Sequence, residues 1–165
     1  MKMKSAICLL TLLPCWASAQ LDPELAQFQA LMGTTWNGEY QVAVNSKVNT
    51  EVVLWEEALQ GNAVRYSHSM NDGEYQGEIL FVWNAESEQV EFTYHTTADF
   101  FSHGMVTQHD NAFVFHHFLQ GADPGFEEVK TEMVMLPNGQ IRTQPFYLQD
   151  EGWKPGDVAL FTQAQ

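Results

Sequence analysis

The sequence predicts an all-β fold: one antiparallel up-and-down barrel of about ten strands, preceded by one short helix. Three observations predict it. Beyond Gly33 the chain becomes a series of short alternating runs separated by turn residues, one run roughly every ten to twelve residues. In the middle of the chain these runs build a sheet that is apolar on one face and polar on the other. Such a sheet must cover its apolar face, and only one short helix is available to do so. Closing the strands into a barrel buries that face and removes the sheet edges.

The first twenty residues are expected to be a secretory signal. Lys2 and Lys4 precede an apolar run from Ala6 to Leu13, and Ala17-Ser18-Ala19 follows as a small-x-small cleavage site. That order is the signature of a signal peptide, and the run is too short to span a bilayer as a helix. Residues 1–19 are therefore assigned to the signal and 20–165 to one barrel domain, periplasmic or secreted. Both cysteines, Cys8 and Cys15, fall in the signal, which leaves the domain without a disulfide. Pro14 in front of Cys15 does not suit a lipidation site. No second apolar run is long enough to span a membrane.

Residues 22–32 read as the helix. Asp22 suits the N-cap and Pro23 the first helical position. Leu25, Phe28 and Leu31 or Met32 share one face, and Gly33 suits the residue after the C-cap. The expected strands are 36–44, 51–59, 63–70, 74–83, 89–97, 101–109, 113–119, 127–136, 140–148 and 157–162. Asp72-Gly73 is a type I′ hairpin signal. It sets Met70 opposite Tyr75, His68 opposite Gly77 and Tyr66 opposite Ile79. The next hairpin sets Trp83 opposite Val90, Phe81 opposite Phe92 and Ile79 opposite Tyr94. A turn centred on Asn111 then sets Met105 opposite His117 and Thr107 opposite Phe115. Paired residues share a face. The inner face so derived carries Val64, Tyr66, His68, Met70, Tyr75, Ile79, Phe81, Trp83, Phe92, Tyr94, Phe101, Met105, Phe113 and Phe115. Arg65, Ser67, Ser69, Gln76, Glu78, Glu91 and Thr93 face outward.

The whole chain carries a formal charge of −14. Past residue 19 its cations are Lys47, Arg65, Lys130, Arg142 and Lys154, against 21 acidic residues. Such a surface repels nucleic acid and anionic headgroups. The acids are scattered, without a run, so this is a solvated surface and not an acidic tail.

The segment Phe28-Gln29-Ala30-Leu31-Met32-Gly33-Thr34-Thr35-Trp36-Asn37-Gly38-Glu39 resembles the opening of calycin-superfamily barrels, among them lipocalins, fatty-acid-binding proteins and nitrobindin-like haem barrels. The run Asn71-Asp72-Gly73-Glu74-Tyr75-Gln76-Gly77-Glu78, with Thr96-Thr97-Ala98-Asp99-Phe100, resembles secreted bacterial proteins with a lipocalin-like domain. The resemblance implies a barrel whose closed end is plugged by Trp36 and whose interior binds a small apolar molecule. The chain departs from the pattern in having one extra residue between Gly33 and Trp36, no cysteine pair, and no His beyond His117, where nitrobindin-like barrels take a haem ligand. No cofactor is expected.

An apolar cavity with a few convergent polar groups is the usual make-up of a ligand pocket. The expected ligand contacts are Tyr66, His68, Tyr75, Tyr94, His103 and His117, all inward on these registers. Arg65 joins them if a twist turns it into the cavity, where it would hold a carboxylate; otherwise it pairs with Glu78 or Glu91 outside. His103 and His117, one position off directly opposite, come close enough to share a metal, with His68 as a third ligand if the barrel curls suitably; the alternative is that each donates to a Tyr or a backbone carbonyl inside the barrel. No metal motif such as His-Glu-x-x-His supports a metal there. No Gly-x-Ser-x-Gly elbow and no cysteine nucleophile is present, so binding is favoured over catalysis. The expected function is an exported binder of a small, largely apolar molecule, fatty-acid-like or similar. The alternatives are an isomerase or lyase using His68 or His103 with a tyrosine, and a barrel filled by its own side chains that serves as a protein-interaction module.

Overall fold

The computed structural model describes residues 20–44, 47–121, 125–150 and 152–165; the expected signal, 1–19, lies outside them. The chain enters through a 3₁₀ helix, Pro23–Leu31. Asp22 caps it, its side chain accepting from the Glu24 backbone N–H at 2.9 Å. The apolar residues Leu25, Phe28 and Leu31 recur every three positions, and all three are buried. A helix of three residues per turn stacks such a set on one side. Nine residues is long for a 3₁₀ helix, and the stripe it buries accounts for that. Gly33, at a φ of 68°, then turns the chain into the first strand.

The strands are β1 (Thr34–Val44), β2 (Lys47–Ala58), β3 (Ala63–Met70), β4 (Tyr75–Asn84), β5 (Gln89–Thr96), β6 (Phe100–His109), β7 (Ala112–Gly121), β8 (Glu128–Met135), β9 (Ile141–Gln149), β10 (Gly152–Pro155) and β11 (Ala159–Gln163). From β1 to β9 each pairs antiparallel with its chain neighbours. β10 and β11 pair with successive stretches of β9, their registers offset by one residue. They are two pieces of one strand with a bulge at 156–158, and the sequence reading anticipates only the second piece. β11 also pairs with β1, Phe161 opposite Gly38, and this closes the ring. The molecule is thus a closed ten-stranded antiparallel barrel, all-β apart from the helix and 3₁₀ turns. No helix among the described residues is long and apolar enough to cross a membrane.

The first two expected registers are those observed, Met70 opposite Tyr75 and Phe81 opposite Phe92. The pairing is as expected but the loop is not the two-residue type I′ turn: it runs over 71–74, with Asn71 (φ 47°), Asp72 (φ 59°) and Gly73 (φ 97°) all left-handed. The β6–β7 register differs. The loop is two residues, Asp110 and Asn111, closed by His109 opposite Ala112, not a turn centred on Asn111. Gly104 therefore faces His117, and Met105 faces His116. A slip of one residue exchanges the two faces. Ser102, Gly104 and Val106 are buried, whereas Phe101 and His103 are exposed and Met105 is only half-buried. Phe101, His103 and Met105 accordingly leave the inner face that the sequence reading gave them.

The core is concentrated at the helix end. Phe28 is fully buried and lies 5.7, 5.0 and 5.4 Å from the rings of Trp55, Phe81 and Phe113. Burying each such side chain is worth about 1.5–3 kcal/mol. Trp36 is buried beside this cluster, its indole N–H donating to Thr34 Oγ1 at 2.8 Å. The helix, led by Phe28, closes this end of the barrel together with Trp36.

Candidate functional site

The rest of the interior is not filled. A cavity of about 400 Å³ lies inside the strands, with Trp55, Phe81, Phe115 and Phe161 among its apolar walls. That volume falls within the range of small-molecule sites. Of the residues expected at the site, Tyr66, His68, Tyr75, Tyr94 and His117 line it. Arg65 and His103 do not. Arg65 points outward and its Nε lies 3.5 Å from Glu78 Oε2, both side chains roughly half exposed. His103 stands on the outer face beside Phe118, its Nδ1 3.4 Å from Gln120 Nε2. His103 and His117 are on opposite faces of the wall and share no ligand position.

The structure adds polar side chains the sequence reading missed, among them Tyr40, Glu51, Ser102 and Tyr147. Glu51 is central. Strand β2 buries Val53 and Trp55, and Glu51 is in phase with them. The same alternation could have found it, as it could have found Tyr40 in phase with Trp36 and Gly38. Glu51 is 6% exposed and His68 8% exposed, both low values for polar side chains.

These groups form one chain of contacts. Tyr40 Oη donates to Glu51 Oε2 at 2.9 Å. His68 Nδ1 lies 2.9 Å from Glu51 Oε1, with the carboxylate off the ring N–H direction, so this contact is more electrostatic than a formed hydrogen bond. His68 Nε2 lies 2.8 Å from Tyr94 Oη, which lies 2.7 Å from Tyr75 Oη. Burial, with the Glu51 carboxylate next in effect, raises the Tyr40 and Tyr66 phenols far above their usual value. Burial and then Tyr75 raise Tyr94 likewise. The phenols therefore stay protonated and donate. With a His68 proton on Nδ1, the ring nitrogen beside the acceptor-only carboxylate, the order follows. Tyr75 donates to Tyr94 and Tyr94 to His68 Nε2, which leaves the ring N–H of His68 on Nδ1, beside Glu51 but not aligned with it.

Gly77 makes this arrangement possible. It pairs with His68 across β3–β4. A methyl there would overlap His68 Nε2 and the Tyr94 ring and hydroxyl. Gly104 plays the same part opposite His117, where a methyl would meet the Phe92 ring and the His116 carbonyl. His117 Nδ1 lies 3.1 Å from the buried Ser102 Oγ. Burial, with His116 adding to it, pushes the His117 imidazole down to about 3. It is a neutral wall group near pH 7.

The polar chain is thus set into an aromatic wall. Ring contacts link Trp55 to Tyr66 at 4.9 Å and His68 to Tyr75 at 5.4 Å. Chemically, the site can enclose an apolar body and offer one polar corner, in which acceptors and donors are already ordered.

No family model matches the chain, and no curated protein matches it. Among solved structures it is similar to the crystal structure of Rv2717c from M. tuberculosis. The two superpose with a TM-score of 0.63 over 88% of this chain and 100% of that one, at 10% sequence identity. The likeness is one of fold.

Proposed function

We propose that the protein is an exported calycin-type barrel that binds a small, largely apolar molecule with one polar end. The observation that carries this reading is the cavity of about 400 Å³ with its aromatic walls and its Tyr40–Glu51–His68–Tyr94–Tyr75 corner. Burying those polar groups costs stability unless they are satisfied, so a folded domain gains nothing from placing them around an empty space. A ligand gives the space and its polar corner a use. The calycin naming rests on the helix that leads through Gly33 to Trp36 and on the consecutive meander of strands. Export rests on the pattern of residues 1–19.

Native mass spectrometry of the protein taken from its own host's secretory compartment tests the reading. An added mass that disappears on denaturation is the expected result. A bare mass, together with no displacement of an apolar fluorescent dye by any apolar compound, would overturn it.

One observation favours a second reading. Glu51 behind His68, and His68 on Tyr94, is an order of groups able to move a proton to or from a bound molecule. An enzyme of isomerase or lyase type predicts that His68→Asn abolishes turnover and leaves ligand affinity within about tenfold. A binder predicts no turnover to abolish.

A further inference from the structure

The charge of the cavity is one-sided. Among the described residues that line it, Glu51 is the one carboxylate, and no Lys or Arg is present. None of Lys47, Arg65, Lys130, Arg142 and Lys154 lines the cavity: Lys47 pairs with Glu74, Arg65 with Glu78, Arg142 donates to Gln144 and Lys130 lies over the Trp153 ring. On the reading that the cavity binds a ligand, we infer that the polar end of that ligand is a cationic amine held against Glu51, and not the carboxylate of a fatty acid.

Glu51 has room for it. Each of its oxygens has one protein partner at 2.9 Å, Tyr40 on Oε2 and His68 on Oε1. A carboxylate accepts at about four lone-pair positions, so each oxygen keeps a free one. The charge balance points the same way for either state of His68. With Glu51 ionised, the pair carries a net charge of minus one or zero, never a positive one. An entering carboxylate meets no cation to offset the loss of its water. An entering ammonium meets a carboxylate that is already desolvated, so the pair forms without that cost being met again. The neighbouring walls suit a cation too. Tyr66 and Tyr75 flank His68 with ring centroids 5.8 and 5.4 Å away, and aromatic faces attract cations. Tyr66 Oη has no hydrogen-bond partner among the described residues, and can turn a lone pair to the ammonium while its proton stays in place.

A matched set of compounds tests the inference: 1-decylamine, 1-decanol and decanoate, each displacing a bound apolar dye at neutral pH below the concentration at which it aggregates. The amine is expected to bind roughly tenfold or more tightly than decanoate, equivalent to about 1.4 kcal/mol. In Glu51→Gln the two should fall within about twofold of each other. Equal or tighter binding of decanoate to the unaltered protein overturns the inference and leaves the binding reading standing. So does an amine preference that survives in Glu51→Gln. No displacement by any of the three overturns the inference, and together with a bare native mass and no displacement by other apolar compounds it overturns the binding reading too. The comparison on the unaltered protein holds even where Glu51→Gln does not fold, which far-UV circular dichroism reports.

Discussion

Gly77→Ala tests the geometry of the site through the sign of its effect. Gly77 sits in β4 with His68 and Thr96 as its partners on either side. Its φ is outside the left-handed region, so the backbone accepts alanine. At a site with space, that change stabilises a protein by about 0.4–1 kcal/mol by restricting the unfolded chain. Here the added methyl would overlap His68 Nε2 and the Tyr94 ring and hydroxyl. Neither ring is free to retreat, because His68 is held between Glu51 and Tyr94, and Tyr94 between His68 and Tyr75. Overpacking of this kind costs about 1–3 kcal/mol. Loss of the 2.8 Å hydrogen bond adds about 0.5–1.5 kcal/mol. Set against the backbone gain, the net loss is about 0.5–4 kcal/mol. Urea unfolding measures it as a lower midpoint at unchanged slope. In a Tyr94→Ala background one of the two obstructing rings is gone and His68 loses the hydroxyl that holds its Nε2, so the same substitution should cost less, a coupling that a double-mutant cycle reads directly. Stability equal to or above that of the parent would refute the crowding argument and, with it, the placement of His68 against Tyr94.

Other consequences follow from the same structure. His117 is depressed to about 3 by burial. Its unfolded state takes up a proton near pH 6.5 while the native state does not, so the stability it contributes is present above pH 6.5 and lost as pH falls towards 3. The slope is about 1.4 kcal/mol per pH unit. Urea midpoints across that range should fall more steeply for the parent than for His117→Gln. Phe28→Ala removes the ring that joins the helix to Trp55, Phe81 and Phe113 and should cost about 3–5 kcal/mol in urea unfolding. Arg65→Ala and His103→Asn act on the outer face. Each should change stability by no more than about 0.5 kcal/mol and leave dye or ligand affinity unchanged; a tenfold loss of affinity in either would place that residue at the site after all.

Most of the barrel can be read from the sequence because period-two alternation survives along β3 and β5, and along β4 apart from Gly77 pointing in and Leu80 and Val82 pointing out. Strand β6 breaks that rule. Its outward residues, Phe101, His103 and Met105, are bulkier than its inward ones, Ser102, Gly104 and Val106. Inward bulk is excluded there by what the neighbouring strands send in. A side chain at Gly104 would meet the Phe92 ring from β5, and His117 already fills the space opposite. Hydrophobicity within β6 thus points to the wrong face. The Asn111 turn could not correct it, since loops of two and three residues differ by the very step that inverts a strand. Glu51 was missed for a different reason. Alternation places it inward with Val53 and Trp55, but a carboxylate at the inner face of a barrel reads as an error in register until its partners are known. Those partners, Tyr40 and His68, come from β1 and β3, brought to β2 only by the closed sheet.

The two halves of the barrel interior therefore do different work. At the helix end, rings such as Phe28 and Phe113 pack on one another away from the cavity, and substitutions of these two should register in stability alone. In the other half a carboxylate, an imidazole and several phenols are held around an open volume, at the expense of the packing that would otherwise fill it. Groups so placed keep one another satisfied only while each stays in position. That mutual dependence explains why Gly77, which carries no chemistry, is as necessary to the corner as His68. It also sets the order in which the site should fail. Changes that displace His68 or Tyr94 should lose the arrangement of the polar corner while the helix end stays packed, so a binding defect in a folded protein is the expected signature of this half.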